Sequence, residues 1–185
     1  LVETSNDHGI TSLAGFTIAS DGTFFALGNE NVEGDNVVRL MRGTGDDNTR
    51  SWSLVMETEP YTLNGHFDHN FNAIALSPEL DYIFVASGSR TDHGEAQKDS
   101  GPDAGVREFP ITSSIFRIPY DTAEMTLPND EDQLAEMEVV YAKGVRNHYD
   151  LAFAPNGDLF GVEKSGDRDD EEELNWIRDG HHYGF

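Results

Sequence analysis

The sequence contains no cysteine, which removes disulfide staples, thiolate catalysis and cysteine-ligated zinc or iron–sulfur centres from consideration. Basic side chains are scarce as well: 12 against 35 acidic ones, for a formal charge of -23. Lysine occurs only at Lys98, Lys143 and Lys164. Such a chain repels nucleic-acid phosphates and anionic membrane surfaces, so neither is an expected partner. The plainest use of the charge is a solvated, salt-tolerant surface. No apolar run approaches the length that spans a bilayer. Leu1–Asp7 has neither the basic nor the apolar part of a secretory signal, so any such signal is expected to have been removed or never to have been part of this sequence.

What is present is a repeat. Phe16–Asn29 reads FTIASDGTFFALGN, Ile74–Ser89 reads IALSPELDYIFVASGS and Leu151–Ser165 reads LAFAPNGDLFGVEKS. Each is an apolar run, a polar turn and a second apolar run, the pattern of a β-hairpin. Asp21-Gly22 and Asn156-Gly157 supply turn residues that tolerate positive φ, and the middle copy uses Pro78–Asp81 instead. A third strand is expected after each hairpin, at Asn36–Leu40, Ser114–Ile118 and Glu173–Ile177, and a fourth after two of them, at Trp52–Glu57 and Glu136–Ala142.

Four antiparallel strands per repeat is the plan of a propeller blade. The expectation is an all-β chain, a partial β-propeller over 1–185, with blades at about 13–59, 73–143 and an incomplete 150–185. Because the third repeat stops after three strands, the chain is expected to be part of a longer propeller; a β-sandwich is the competing architecture. The polar stretch Thr91–Pro110 reads as a functional insertion or a disordered loop, and Asn129–Glu138 as one helical turn or an extended loop.

Several residues could carry chemistry. His66 and His69 lie in GHFDHNFN, just before the second hairpin, where blade loops meet a central channel. A histidine there suits a base that takes a hydroxyl proton near neutral pH; packing or surface roles, and metal ligation through the HxxH spacing, are the alternatives. Arg146 and Asn147 occupy the equivalent position before the third hairpin, where an arginine fork can grip a carboxylate or a developing oxyanion, or make a structural salt bridge. Asp167–Asn175 is the densest run of oxygen ligands, suited to calcium or simply to solvent.

Taken together, GVRNHYDLAFAPNGDLFGVEK, the acidic run and ELNWIRDGHHYGF resemble the glucose/sorbosone dehydrogenase family of quinoprotein sugar dehydrogenases. That family's block runs G-x-R-N-x-x-x-L-A-F-x-P-x-G, then D-E-[IL]-N-x-I-x-x-G-x-N-Y-G-[WF]. The likeness is strong over Gly144–Phe185 and weaker over Gly65–Gly88, where His69 and Pro78 align. It implies a six-bladed propeller holding pyrroloquinoline quinone and calcium. His69 and Arg146 would be catalytic; Arg146, Asn147 and Lys164 would hold the cofactor; Ser165, Gly166, Asp170 and Glu172 would hold calcium. The chain departs from the family at Ser89, where an acidic residue often supports the histidine and for which Asp92 is the nearest substitute, at Tyr149 and at Lys164–Gly166.

The resemblance implies oxidation of an aldose or related sugar with transfer to an electron acceptor, in the periplasm or outside the cell. A catalytically silent binding propeller and a calcium-dependent sugar lactone hydrolase are the alternatives.

Overall fold

Three antiparallel hairpins form where the repeat places them. The computed structural model describes residues 3–46, 49–95, 101, 103–166 and 171–185. A short helix α1 (Ser5–His8) precedes β1 (Leu13–Ile18), β2 (Phe24–Val32), β3 (Asp35–Gly45) and β4 (Arg50–Thr58). The second repeat gives β5 (Phe71–Leu76), β6 (Tyr82–Ser87), β7 (Ser114–Pro119), β8 (Met125–Leu127), helix α2 (Glu131–Met137) and β9 (Val140–Lys143). The third gives β10 (His148–Phe153), β11 (Leu159–Glu163), β12 (Glu173–Ile177) and β13 (His181–His182).

The hairpin turns follow the expected chemistry. Gly22 and Gly157 both take positive φ, while Leu80 takes it in the middle copy at 58°. A left-handed leucine costs about 1–2 kcal/mol; Leu80 offsets this by packing its side chain on the core.

The three sheets have the orders β1-β2-β3-β4-β8, β5-β6-β7-β9-β13 and β10-β11-β12. Their first strands lie side by side, β1 against β5 and β5 against β10, which is how successive propeller blades surround a channel. Close approach demands small residues: a Cβ on Gly15 would overlap the Asn72 carbonyl oxygen.

The middle blade is buried on both faces. Ile83, Val85, Phe116 and Ile118 join Phe25, Leu27, Leu40 and Phe71 in one core, whereas Phe84, Ala86 and Ile115 join Leu151, Leu159 and Ile177 in the other. This explains why IFVAS and SIFRI read as nearly continuous apolar runs rather than strict alternation. Each fully buried large side chain adds roughly 1.5–3 kcal/mol.

Two expectations need correction. Glu136–Ala142 is not one strand: Asp130 caps α2 by accepting from Gln133 N, Leu134 buries, and only after Glu138 takes a left-handed turn does β9 begin. Helical spacing of Leu134 and Met137 outweighs the β tendency of the following valines until the turn resets the chain. The second correction concerns the blade edges. Strand β8 pairs parallel to β4, and β13 pairs parallel to β9. The segment after the third strand of one blade thus extends the outer edge of the preceding blade and pairs its backbone groups.

Candidate active site

Each inner strand is irregular near its start, with the register shifting between Leu13 and Gly15, between Phe71 and Ile74, and between His148 and Asp150. Such bulges re-aim neighbouring side chains. They gather the residues just before β5 and β10 with those just after β6 and β11 at one end of the sheets.

His69 donates its backbone N–H to the Ser89 carbonyl at 2.8 Å, and Ser89 N–H in turn donates to the Arg146 carbonyl at 2.7 Å. The His69 ring follows the same partner, with Nδ1 3.2 Å from Ser89 O and 3.3 Å from Ser89 Oγ. Ser89 Oγ donates to Thr91 O. Two acceptors facing Nδ1 place the ring hydrogen there and leave Nε2 with a free lone pair. Burial first, then the nearby Arg146 charge, hold His69 below the ordinary histidine value, and Lys164 adds to the effect. A neutral imidazole with an open Nε2 is the form a general base needs.

Arg146 is buried, and its fork is held on three sides: Nη2 to Asp92 Oδ1 at 2.8 Å, Nε to Asp92 O at 3.0 Å, and Nη1 to Lys164 O at 3.3 Å. Three of five N–H donors are used, leaving one each on Nη1 and Nη2. Asn147 accepts from Asn72 Nδ2 through its side-chain oxygen at 2.8 Å. Both backbone amides of this pair donate to Glu163 Oε1. Burial pushes Glu163 up to about 7, against the pull of those amides, and pushes the neighbouring His148 down to about 4.

Arg146, Glu163, Lys164, Ser165, Gly166 and Glu172 line one cavity of about 520 Å³, with Tyr183 and Phe185 at its wall. His69 and Asn147 are not among the residues that line it. Asp170 lies outside the described residues. Of the remaining residues of the calcium expectation, Glu172 Oε2 accepts from Ser165 N at 3.2 Å; among the described residues no three His, Cys, Asp or Glu side chains form a group that could hold a metal ion. Asp92 does not take the place of an acid behind His69; it binds Arg146 and lies 3.1 Å from His93 Nε2.

Two groups escaped the sequence reading. Glu163 entered only as the first residue of the Glu163–Asn175 loop, which the family resemblance places on the calcium-bearing region, and not as a partner of Arg146 and Asn147. Arg90 and Asp68 form a buried pair at 3.1 Å, with Arg90 also donating to Asn64 Oδ1 at 2.7 Å and stacking 4.2 Å above Phe109. That pair ties the loop bearing His69 to the segment after β6. An arginine beside a carboxylate has no signature across 22 residues of sequence.

No curated protein sequence matches the chain. Among solved structures it is similar to a glucose dehydrogenase, with 20% identity and a TM-score of 0.61 over 93% of this chain and 52% of that one. It is also similar to the PQQ-bound form of an aldose sugar dehydrogenase from Streptomyces coelicolor, at 22% identity and TM-score 0.57 over 94% of this chain and 47% of that one. A glucose dehydrogenase-type oxidoreductase from Thermus thermophilus gives 21% and 0.64 over 93% and 50%. The chain therefore spans about half the length of these proteins, and the likeness establishes the β-propeller fold. The glucose/sorbosone dehydrogenase family model matches residues 14–185, and the chain belongs to that family.

Proposed function

We propose that this chain carries the base and part of the cofactor wall of a quinoprotein that oxidises an aldose or related sugar. The observation that supports this most is the His69 arrangement, a neutral ring with Nδ1 occupied by Ser89, Nε2 free, and Arg146 and Lys164 close enough to depress its basicity. His69 Nε2 accepts the proton of the sugar hydroxyl. The Arg146 donors and the Asn147 amide orient the oxygen that loses it.

Pyrroloquinoline quinone is an anionic planar group, and the cavity offers it suitable size, the two remaining Arg146 donors, the Lys164 ammonium and the rings of Tyr183 and Phe185. Arg146, Asn147 and Lys164 would hold it. When bound, it supplies the hydride acceptor for the reaction, and a separate electron acceptor regenerates it. Calcium belongs to this reading, and Ser165, Gly166, Asp170 and Glu172 would hold it. Placement in the periplasm or outside the cell completes the reading; fractionation of the source cells tests it.

The decisive experiment loads the full protein with quinone and calcium and follows dye reduction across a sugar panel. Activity lost in His69→Ala with quinone binding retained is the expected result. A loaded wild type inert toward every sugar refutes it. A second reading, a silent binding propeller, is favoured by the crowding of Asp92, Glu163, Glu171, Glu172 and Glu173 around the same cavity, which opposes an anionic cofactor. Failure of quinone to bind, with a neutral glycan bound instead, selects that reading.

A further inference from the structure

Glu163 ends β11 with its side chain turned under the Arg146–Asn147 dipeptide, 6% exposed. The β10–β11 ladder ends at the His148↔Glu163 pair, so the amides of Arg146 and Asn147 lie beyond the last strand partner. Glu163 Oε1 accepts both, from Arg146 N and from Asn147 N at 3.1 Å. Oε2 accepts from Asn175 Nδ2 of β12 at 3.1 Å and stands 3.6 Å from His148 Nδ1. The two carbonyls of the dipeptide are taken from other directions, that of Arg146 by Ser89 N and that of Asn147 by Lys164 N. All four backbone polar groups are thereby fixed, and the two donors depend on a single carboxyl.

Burying a carboxyl is costly unless donors surround it. A strand end open to water needs no such group, because solvent satisfies its amides. What the carboxyl adds is direction: two successive N–H groups converging on one oxygen set the orientation of the peptide planes, and with them the points from which both side chains leave. We propose that Glu163 is a positioning residue that holds Arg146 and Asn147 in register with His69 and the cavity. This deepens the proposed function, since it rests on those two side chains touching cofactor or substrate. Asp92 and Asn72 act differently, each gripping one side-chain end. Among the described residues, Glu163 alone binds the backbone of both.

The test uses Glu163→Gln and Glu163→Ala in the full chain. Gln keeps a carbonyl oxygen for the two amides but loses the charge and sets its NH2 against Asn175; Ala removes the acceptor altogether. Hydrogen exchange at the Arg146 and Asn147 amides, read by NMR without quinone or sugar, should quicken about 10- to 100-fold in Glu163→Ala, by less in Glu163→Gln, and little elsewhere in β10 and β11. In the quinone-loaded protein, Glu163→Ala should lower kcat/KM about 100-fold, chiefly through kcat, with partial rescue by Gln. Unchanged amide exchange in a folded variant overturns the proposal, as does exchange quickened uniformly along both strands. If Glu163→Ala fails to fold, Glu163→Gln alone decides between these outcomes. Selective exchange in a wild type inert toward sugars leaves the positioning role standing and overturns only the dehydrogenase reading.

Discussion

Asp68→Asn should destabilise the protein strongly although it changes one atom. Asp68 and Arg90 have side chains only 8% and 4% exposed, 3.1 Å apart. The substitution leaves volume and one oxygen acceptor in place, so little cavity cost arises; what it leaves behind is a buried guanidinium without its counter-charge. Breaking one side of such a pair costs about 3–5 kcal/mol. Arg90 keeps the Asn64 and Arg107 oxygens and the Phe109 face, which places the loss near the lower end, about 3 kcal/mol. With a urea slope of about 2 kcal/mol/M, the unfolding midpoint should fall by about 1.5 M. The exposed Arg39–Glu57 pair, 37% and 35% exposed at 3.3 Å, is the control: Glu57→Gln should shift stability by no more than about 1 kcal/mol. Replacing both partners, Asp68→Leu with Arg90→Met, should recover most of what Asp68→Asn loses. A midpoint for Asp68→Asn within about 0.3 M of wild type would refute the argument, because it would mean that the buried arginine is solvated or paired elsewhere.

Other outcomes follow from the same geometry. Gly88→Ala should push His69 away, because a Cβ there overlaps the His69 Cβ and stands 2.9 Å from Asn70 O; we expect a loss of about 1–3 kcal/mol in chemical unfolding and about 100-fold in dye reduction. Leu134→Ala, in the buried face of α2, should cost about 2–5 kcal/mol in the same unfolding assay. His148 titrates at about 4 in the fold against 6.5 ordinarily. Between those values the unfolded chain binds the proton and the folded chain does not, so stability should fall as pH drops through that window. Among the described residues neither His148 nitrogen has a hydrogen-bond partner, so His148→Leu should flatten the acid slope, read from urea midpoints at neutral and acid pH, without loss at neutral pH. Glu163 acts with the opposite sign, its raised value stabilising the fold at low pH and releasing that contribution as pH rises through about 7.

The hairpins were legible because their information is local. Alternating apolar residues, Asp21-Gly22 and Asn156-Gly157 determine strand, turn and strand within about 15 residues, whatever surrounds them. His69, Arg146 and Asn147 were legible as candidates because they stand just before those hairpins, at matching positions in the repeat. The blade edges were not. Met125–Leu127 and His181–His182 are too short to announce themselves, and they become strands only because an outer edge of the preceding blade offers unpaired backbone groups. The partners of the candidate residues were equally invisible: Asp92 reaches Arg146 across 54 positions and Glu163 reaches it across 17. The sequence by itself therefore determined the three hairpins, how they repeat and which candidate side chains stand just before the second and third of them. Only the tertiary structure decided which carboxylate holds which cation, because pairing depends on distance in space and on exclusion of water, and neither is written in local order.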